Sequence, residues 1–209
     1  MSEYPPANIH TLERAIRFFC EGKSLVDIGC RHGAYAQAFS DGGYDVTGVE
    51  ARASNLAQCE RGRGCEYIQA DAKMIAELGR QWDHAFCSGL LYHLDCPAQF
   101  LGNLASVTRI SAVVDTHFSD EQTSSRFADR LGELQTHEGF PGRWFREYPE
   151  AAKLGQIETF SQSAWSNPIS FWPTRSGLVD MVIAAGFRIM REDRDDVNQR
   201  ISLCLKKQS

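Results

Sequence analysis

The sequence predicts a doubly wound α/β fold: a mostly parallel sheet with helices on both faces, finished by an antiparallel C-terminal hairpin strand. Two observations carry this expectation. Short apolar runs alternate with amphipathic stretches from about residue 24 to 115. Near the C-terminus two strand-like runs are separated only by the acidic turn "EDRDDVN", which suits a hairpin and leaves no room for a crossover helix. With 209 residues, 43% hydrophobic and 23% charged, the chain can bury one substantial core, so a single domain over 1–209 is expected.

The elements follow in order. Over 8–20, Ile9, Leu12, Ile16 and Phe19 recur at helical spacing, and Asn8 can cap the first turn. A short apolar strand is expected at 24–29, a helix at 34–40, and a strand at 44–50 entered through the Gly42-Gly43 turn. Next come a helix at 54–61, a strand at 65–69, a short helix at 73–78 and a strand at 82–87. Pro97 opens a helix over 97–107, as proline does at first helical positions, and a strand follows at 110–115.

The rhythm breaks over about 118–172, a polar stretch rich in glycine, proline and aromatics, with a helix expected at 125–134. A segment of this length is seldom mere connection, and it is read as an insert. Order resumes with a helix capped by Thr174, apolar at Leu178, Val179, Val182 and Ile183 and ended by Gly186. Strands at 187–191 and 200–206 close the chain.

Composition narrows the function classes. A net charge of -5 provides no general basic field for phosphates, which argues against nucleic-acid binding through bulk electrostatics and leaves only a local basic patch as a route to it. Seven cysteines form no CxxC pair and no Cys/His cluster at zinc spacing, so no metal site is expected and the thiols suit a reducing compartment. The N-terminal "MSEYPPANIH" lacks a basic-then-apolar signal, and no apolar run approaches the ~18 residues of a spanning helix. A cytoplasmic location without membrane contact is the resulting expectation.

In open parallel sheets ligands bind beyond the carboxyl ends of the strands, where the strand order reverses. The first strand ends in Asp27-x-Gly29-x-x-x-Gly33, the second in Glu50-Ala51-Arg52, the third in Asp71-Ala72 and the fourth in Ser88-Gly89-Leu90. The Glu50 carboxylate is an acceptor-only group placed to take both hydroxyls of a ribose. Asp71 and Ala72 can meet an adenine amine and a ring nitrogen. A dinucleotide fingerprint needs G-x-G-x-x-G, with the middle glycine admitting a pyrophosphate. Arg31 occupies that place, so a pyrophosphate fits poorly, and an ordinary backbone conformation is expected for the arginine. Acidic strand ends around one glycine turn suit a positively charged adenosine ligand, which points to S-adenosyl-L-methionine.

"LVDIGCRHGAYAQAFSDGGYDVTGVEAR", "YIQADA" and "WDHAFCSGLLYHLDCPAQFLGNLASVT" resemble the class I S-adenosylmethionine-dependent methyltransferases with their Rossmann-like sheet. "SFWPTRSGLVDMVIAAGFRI" resembles the final helix and strand of that superfamily, and "GLLYHLDCP" resembles a bacterial branch that includes the tRNA wobble-uridine transferases. The resemblance implies that Asp27, Gly29 and Gly33 flank the methionine moiety, with Arg31 standing where the superfamily usually has glycine. It places Glu50 and the neighbouring Ala51 at the ribose, Asp71 and Ala72 at the adenine, and Gly89 and Leu90 under the methionine and sulfonium.

Methyl transfer needs alignment of the acceptor and exclusion of water, and needs a general base only if the acceptor must lose a proton. His93, after Gly89-Leu90-Leu91-Tyr92, and His117, after the fifth strand, are the candidate bases. Tyr92 is a candidate for positioning, since an aromatic face can contact a cationic methyl donor. In the insert, Arg143, Tyr148 and Trp165 are candidate substrate contacts, within a lid or acceptor pocket over 118–172. The expected activity is methyl transfer to an oxygen or nitrogen of a small molecule, as in biosynthesis of a secondary metabolite or surface sugar. An RNA-modifying transferase is the first alternative, favoured if Arg126, Arg130, Arg143 and Arg146 share a face. A protein that keeps the fold and binds without transferring is the second.

Overall fold

The computed structural model describes residues 6–59, 64–119, 127–148 and 163–208, with side chains described from residue 10 onward. The chain begins with helix α1 (Pro6–Phe18) and then alternates β1 (Ser24–Ile28), α2 (Ala34–Asp41), β2 (Asp45–Glu50), α3 (Ala53–Leu56) and β3 (Cys65–Gln69). A 3-10 helix (Ala72–Leu78) leads to β4 (Trp82–Ser88), and a second 3-10 turn (Leu91–His93) to α4 (Pro97–Val107) and β5 (Thr108–His117). Three strands of the insert follow, β6 (Leu131–His137), β7 (Phe140–Arg146) and β8 (Ile169–Pro173), then α5 (Arg175–Ala184), β9 (Phe187–Asp195) and β10 (Arg200–Lys207).

Seven strands form one sheet in the order β3-β2-β1-β4-β5-β10-β9. β1 lies between β2 and β4 and runs parallel to both, Asp27 being level with Gly48 on one side and Phe86 on the other. β10 is antiparallel to β5 and to β9, as the hairpin reading expects. The chain leaves β1 toward β2 and β3, then crosses back to β4 and β5. The carboxyl ends of β1 and β4 therefore flank the reversal of strand order, where loops diverge and leave a crevice.

Both faces of the sheet are covered, which is why "LVDI" in β1 reads as a nearly unbroken apolar run. Val26 and Ile28 point into a core with Phe100, Leu101 and Leu104 of α4 and Leu178, Met181 and Val182 of α5. Leu25 points the other way, with Phe86 and Val113, onto Ala15, Phe19, Ala36 and Phe39. The leading helix is turned slightly from its expected face: Ala15 and Phe19 bury, whereas Ile16 is exposed. Thr174 caps α5 as expected, its Oγ1 accepting the Gly177 N–H at 3.0 Å.

The insert departs from expectation. In place of a helix at 125–134, residues 127–130 form a turn and Leu131–His137 is a strand; residues 125 and 126 lie outside the described residues. Leu131 and Leu134 mimic a helical i, i+3 pair, but Leu134 is exposed and the backbone pairs instead with β7. Gly132 weakens a helix there, and tertiary pairing overrides local propensity. β7 pairs antiparallel with both β6 and β8, making a second, three-stranded sheet. Its aromatics are largely core: Phe171 joins the main cluster, and Trp172 stacks on Phe145 with ring centroids 4.3 Å apart. The helix expected at 54–61 is shorter, ending at Leu56, and residues 60–63 lie outside the described residues.

Candidate functional site

The crevice beyond β1 and β4 opens into a cavity of about 760 Å³. Four strand ends supply its wall: Gly29, Cys30 and Arg31 after β1, Glu50, Ala51 and Arg52 after β2, Asp71 and Ala72 after β3, and Ser88, Gly89 and Leu90 after β4. Tyr92, His93 and Arg200 line it on the β4–β10 side, and Ser163 to Asn167 of the insert close part of its mouth.

The turn after β1 is tied to β2 by backbone bonds from Gly29 N–H and Cys30 N–H to the Val49 carbonyl, at 2.8 and 3.1 Å. Arg31 does not adopt the expected ordinary conformation: its φ is 52°, in the left-handed region, where a non-glycine residue costs about 1–2 kcal/mol. The strain has a visible compensation. Glu50 Oε2 accepts the Arg31 N–H at 3.0 Å and Oε1 accepts the Arg52 N–H at 2.8 Å. Each carboxylate oxygen has two lone-pair sites, so Glu50 keeps one on each oxygen for a diol in the cavity.

Two members of the first motif stand behind the wall. Gly33 is buried with φ 75°, and a Cβ there would come within 2.4 Å of the Tyr67 hydroxyl, so this glycine admits Tyr67 rather than a ligand. Asp27 is 2% exposed and its Oδ2 has no hydrogen-bond partner among the described residues. Burial pushes its carboxyl up to about 7; the Ala36 N–H opposes the rise and the Glu50 charge adds to it.

Asp71 serves locally as well, its Oδ1 accepting the Lys73 N–H at 2.9 Å to cap the 3-10 helix. Gly89 has φ 80°, and a Cβ built on it meets only Tyr92 Oη at 3.6 Å and Arg200 Nη2 at 3.8 Å; it would project toward the cavity. Ser88 Oγ is buried beside it without a hydrogen-bond partner among the described residues. Behind Tyr92, Arg200 Nε donates to Asp115 Oδ1 at 2.6 Å, and Thr11 Oγ1 donates to Asp115 Oδ2 at 2.9 Å.

The two candidate bases separate. His93 lines the cavity, and its Nδ1 lies 2.9 Å from Glu147 Oε2 and 3.0 Å from Oε1. His117 is off the cavity wall, contrary to expectation. Its ring stacks flat on Trp172 at 5.0 Å, and its Nδ1 donates to the Gln199 carbonyl at 3.0 Å. Burial, then the Arg200 charge, lowers its pKa to about 4, so it is a neutral packed ring near neutral pH.

Of the expected substrate contacts, Tyr92 and Trp165 line the cavity, Trp165 being 42% exposed. Arg143 and Tyr148 do not. Arg143 is buried and donates to the Gly132 carbonyl at 3.0 Å, and the Tyr148 hydroxyl donates to the Ala164 carbonyl, so both hold the insert together. Sequence reasoning missed Arg52, whose Nη2 donates to the Ser163 and Ala164 carbonyls at 3.1 and 3.0 Å and so clips the insert to the cavity rim. A signal existed, since Arg52 directly follows Glu50-Ala51. Glu147 carried none: it reaches His93 from 54 residues away.

No group of three or more His, Cys, Asp or Glu side chains able to hold a metal occurs among the described residues. No helix of the described residues is long and apolar enough to cross a membrane.

Comparison with known proteins places this geometry. Over 86 residues the chain is 34% identical to a ubiquinone biosynthesis O-methyltransferase of Pseudomonas aeruginosa, and over 115 residues 28% identical to one of Stutzerimonas stutzeri. These matches cover 38% and 52% of this chain, and 37% and 49% of the relatives, so the aligned region spans at most about half of either curated relative. The N-terminal domain of EvdMO1 with S-adenosylhomocysteine bound superposes with a TM-score of 0.73 at 21% identity, covering 99% of this chain and 82% of that one. The 1,6-didemethyltoxoflavin-N1-methyltransferase of Burkholderia thailandensis superposes at 0.66 with 16% identity, covering 98% and 79%. The wobble-uridine branch expected from "GLLYHLDCP" is not supported by these similarities. The methyltransferase-domain family model matches residues 2–191, and with nearly the whole chain inside that match, the chain belongs to the methyltransferase-domain family.

Proposed function

We propose that this chain binds S-adenosylmethionine in the crevice and transfers its methyl group to an oxygen or nitrogen of a small molecule. The observation that carries the reading is the convergence of all four strand-end motifs on one cavity, with the Glu50 carboxylate fixed by two backbone N–H groups. The residues present fit the group. Ser88 Oγ is a polar atom at the cavity without a partner among the described residues, and Gly89 leaves there the space that a Cβ would fill. Glu50 would hold the ribose hydroxyls and Asp71 with Ala72 the adenine, while Gly29, Gly89 and Leu90 would border the methionine portion. Asp27 would stand behind the wall, buried under the turn that borders the methionine portion.

When bound, S-adenosylmethionine supplies an electrophilic methyl carbon, so that the acceptor lone pair makes the new bond while the carbon–sulfur electron pair leaves with sulfur. The chain's own residues then have two tasks, alignment and exclusion of water. Tyr92 presents its ring beside Arg200 and Gly89, and Trp165 offers an aromatic surface at the mouth. The insert over 118–172 would serve as lid and acceptor wall of a single domain, with Arg52 holding its residues Ser163 and Ala164 at the rim.

A small molecule suits the cavity volume, and it is in keeping with the similar 1,6-didemethyltoxoflavin-N1-methyltransferase. Among the described residues, the arginines that an RNA-binding face would call on are engaged within the insert. Arg130 donates to the Arg146 and Glu147 carbonyls, Arg146 to the Asp129 carbonyl, and Arg143 is buried; Arg126 lies outside the described residues. Incubation with methyl-labelled S-adenosylmethionine and separate small-molecule and RNA fractions tests the reading. Label in the small-molecule fraction is expected; label confined to RNA would replace it with the RNA-modifying reading.

A further inference from the structure

We infer that His93 and Glu147 form a dyad that removes the proton of a neutral hydroxyl acceptor, His93 as catalytic base and Glu147 as its positioning residue. This rests on the methyltransferase reading and names its acceptor class.

Glu147 is 2% exposed, and everything around it is a donor: Ser170 Oγ at 2.7 Å, the Ala164 N–H at 3.0 Å and His93 Nδ1 at 2.9 Å. Burial pushes its carboxyl up, but the hydrogen bond from His93, with the bonds from Ser170 and Ala164, outweighs it and holds the group below the usual carboxylate range. An ionised carboxylate only accepts, so Nδ1 must carry the proton. In neutral imidazole the lone pair then belongs to Nε2, because the bond at one nitrogen sets the tautomer of the other. Nε2 makes no hydrogen bond among the described residues, and His93 lines the cavity three residues after Leu90. The backbone is fixed as well: Asn167 Nδ2 donates to the His93 carbonyl at 3.0 Å.

The tautomer selects the acceptor. A carboxylate needs no base, and a neutral amine attacks with a free lone pair, whereas a hydroxyl must shed its proton as it attacks. As the oxygen–carbon bond forms and the carbon–sulfur pair leaves with sulfur, the hydroxyl proton passes to Nε2. The resulting imidazolium is neutralised by the Glu147 carboxylate at 2.9 Å and later releases its proton to water. Glu147 and Asn167 both come from the insert, so the segment that covers the cavity also supplies the group that orients the base.

The test uses the full chain labelled with 15N-histidine, its six histidines being sorted by loss of one signal in His93→Gln. At pH 8 the His93 signal is expected in the Nδ1–H form, and in Glu147→Gln a substantial Nε2–H population is expected because the amide is no longer acceptor-only. In parallel, phenol, catechol and methyl glucoside are compared as methyl acceptors with benzoate and benzylamine. Hydroxyl compounds should be the ones methylated, with turnover about 100-fold lower in both variants and S-adenosylhomocysteine affinity by calorimetry within about threefold of wild type. A wild-type Nε2–H tautomer, the absence of any hydroxyl product, or more than a tenth of wild-type turnover in His93→Gln would overturn the dyad. Wild-type protein that binds no S-adenosylhomocysteine would instead overturn the methyltransferase reading beneath it.

Discussion

The Glu50 carboxylate holds the backbone N–H of Arg31 at 3.0 Å, joining the end of β2 to the turn that leaves β1. One side chain therefore shapes the turn and offers its remaining lone pairs to the cavity. Glu50→Ala should weaken S-adenosylhomocysteine binding about 10- to 100-fold, the loss of a charged hydrogen-bonding group worth about 1.5–3 kcal/mol. Equal affinities by calorimetry would remove Glu50 from the ribose role.

Arg31 itself makes a separate prediction, because its φ of 52° is a conformation that glycine adopts without strain. In Arg31→Gly the relief of about 1–2 kcal/mol is partly offset by about 0.4–1 kcal/mol of added unfolded-state entropy. Denaturant unfolding should show stability unchanged or raised by up to about 1.6 kcal/mol. Arg31→Val should be clearly destabilised, since β-branched residues avoid this region. The reverse order of the two variants would contradict the conformation.

Arg52 joins the cavity rim to the insert through the Ser163 and Ala164 carbonyls. Arg52→Ala should raise amide hydrogen exchange across 163–167 by one to two orders of magnitude, from the loss of charge-assisted bonds worth about 1.5–3 kcal/mol. The strands of the main sheet should exchange as before. Unchanged exchange at 163–167 would mean that the clip contributes nothing.

His117 gives a pH signature of a structural histidine. Its folded pKa is lowered to about 4, chiefly by burial and then by the Arg200 charge, against 6.5 when unfolded. Between those values the unfolded chain binds a proton that the folded chain refuses, so its contribution to stability falls as pH drops from 6.5 to 4, by on the order of 3 kcal/mol at the lower end. Asp27 acts oppositely: its raised pKa of about 7 makes stability increase as pH falls from 7 toward 3.8. The difference between wild type and His117→Gln in denaturant melts isolates the histidine. It should be constant above pH 7.5 and shift in favour of the variant below 6.5; a flat difference would place His117 in contact with solvent.

The sheet was legible because its signals are local and repeated. Val26 and Ile28 must face one core and Leu25 the other, and that demand writes itself as a short apolar run. Thr174, Pro97 and the hairpin before Arg200 are equally local. The insert was not legible, since its order comes from pairing between distant strands: Arg143 and Tyr148 read as ligand contacts, yet both are buried, and Arg143 pairs across β7 and β8 with Trp172. The same distance hid Glu147, whose partner His93 lies in another part of the chain. The cavity-lining motifs at Glu50, Asp71 and Gly89 were visible as strand ends, whereas the left-handed Arg31 and the space that Gly33 leaves for Tyr67 depend on packing no single segment reveals.

Calorimetric titration of the wild-type protein with S-adenosylhomocysteine tests the central claim most directly. One site per chain is expected, with a dissociation constant near the micromolar range, about -8 kcal/mol. No heat of binding at millimolar ligand, in protein shown to be folded, would contradict the assignment of this crevice to an S-adenosyl cofactor.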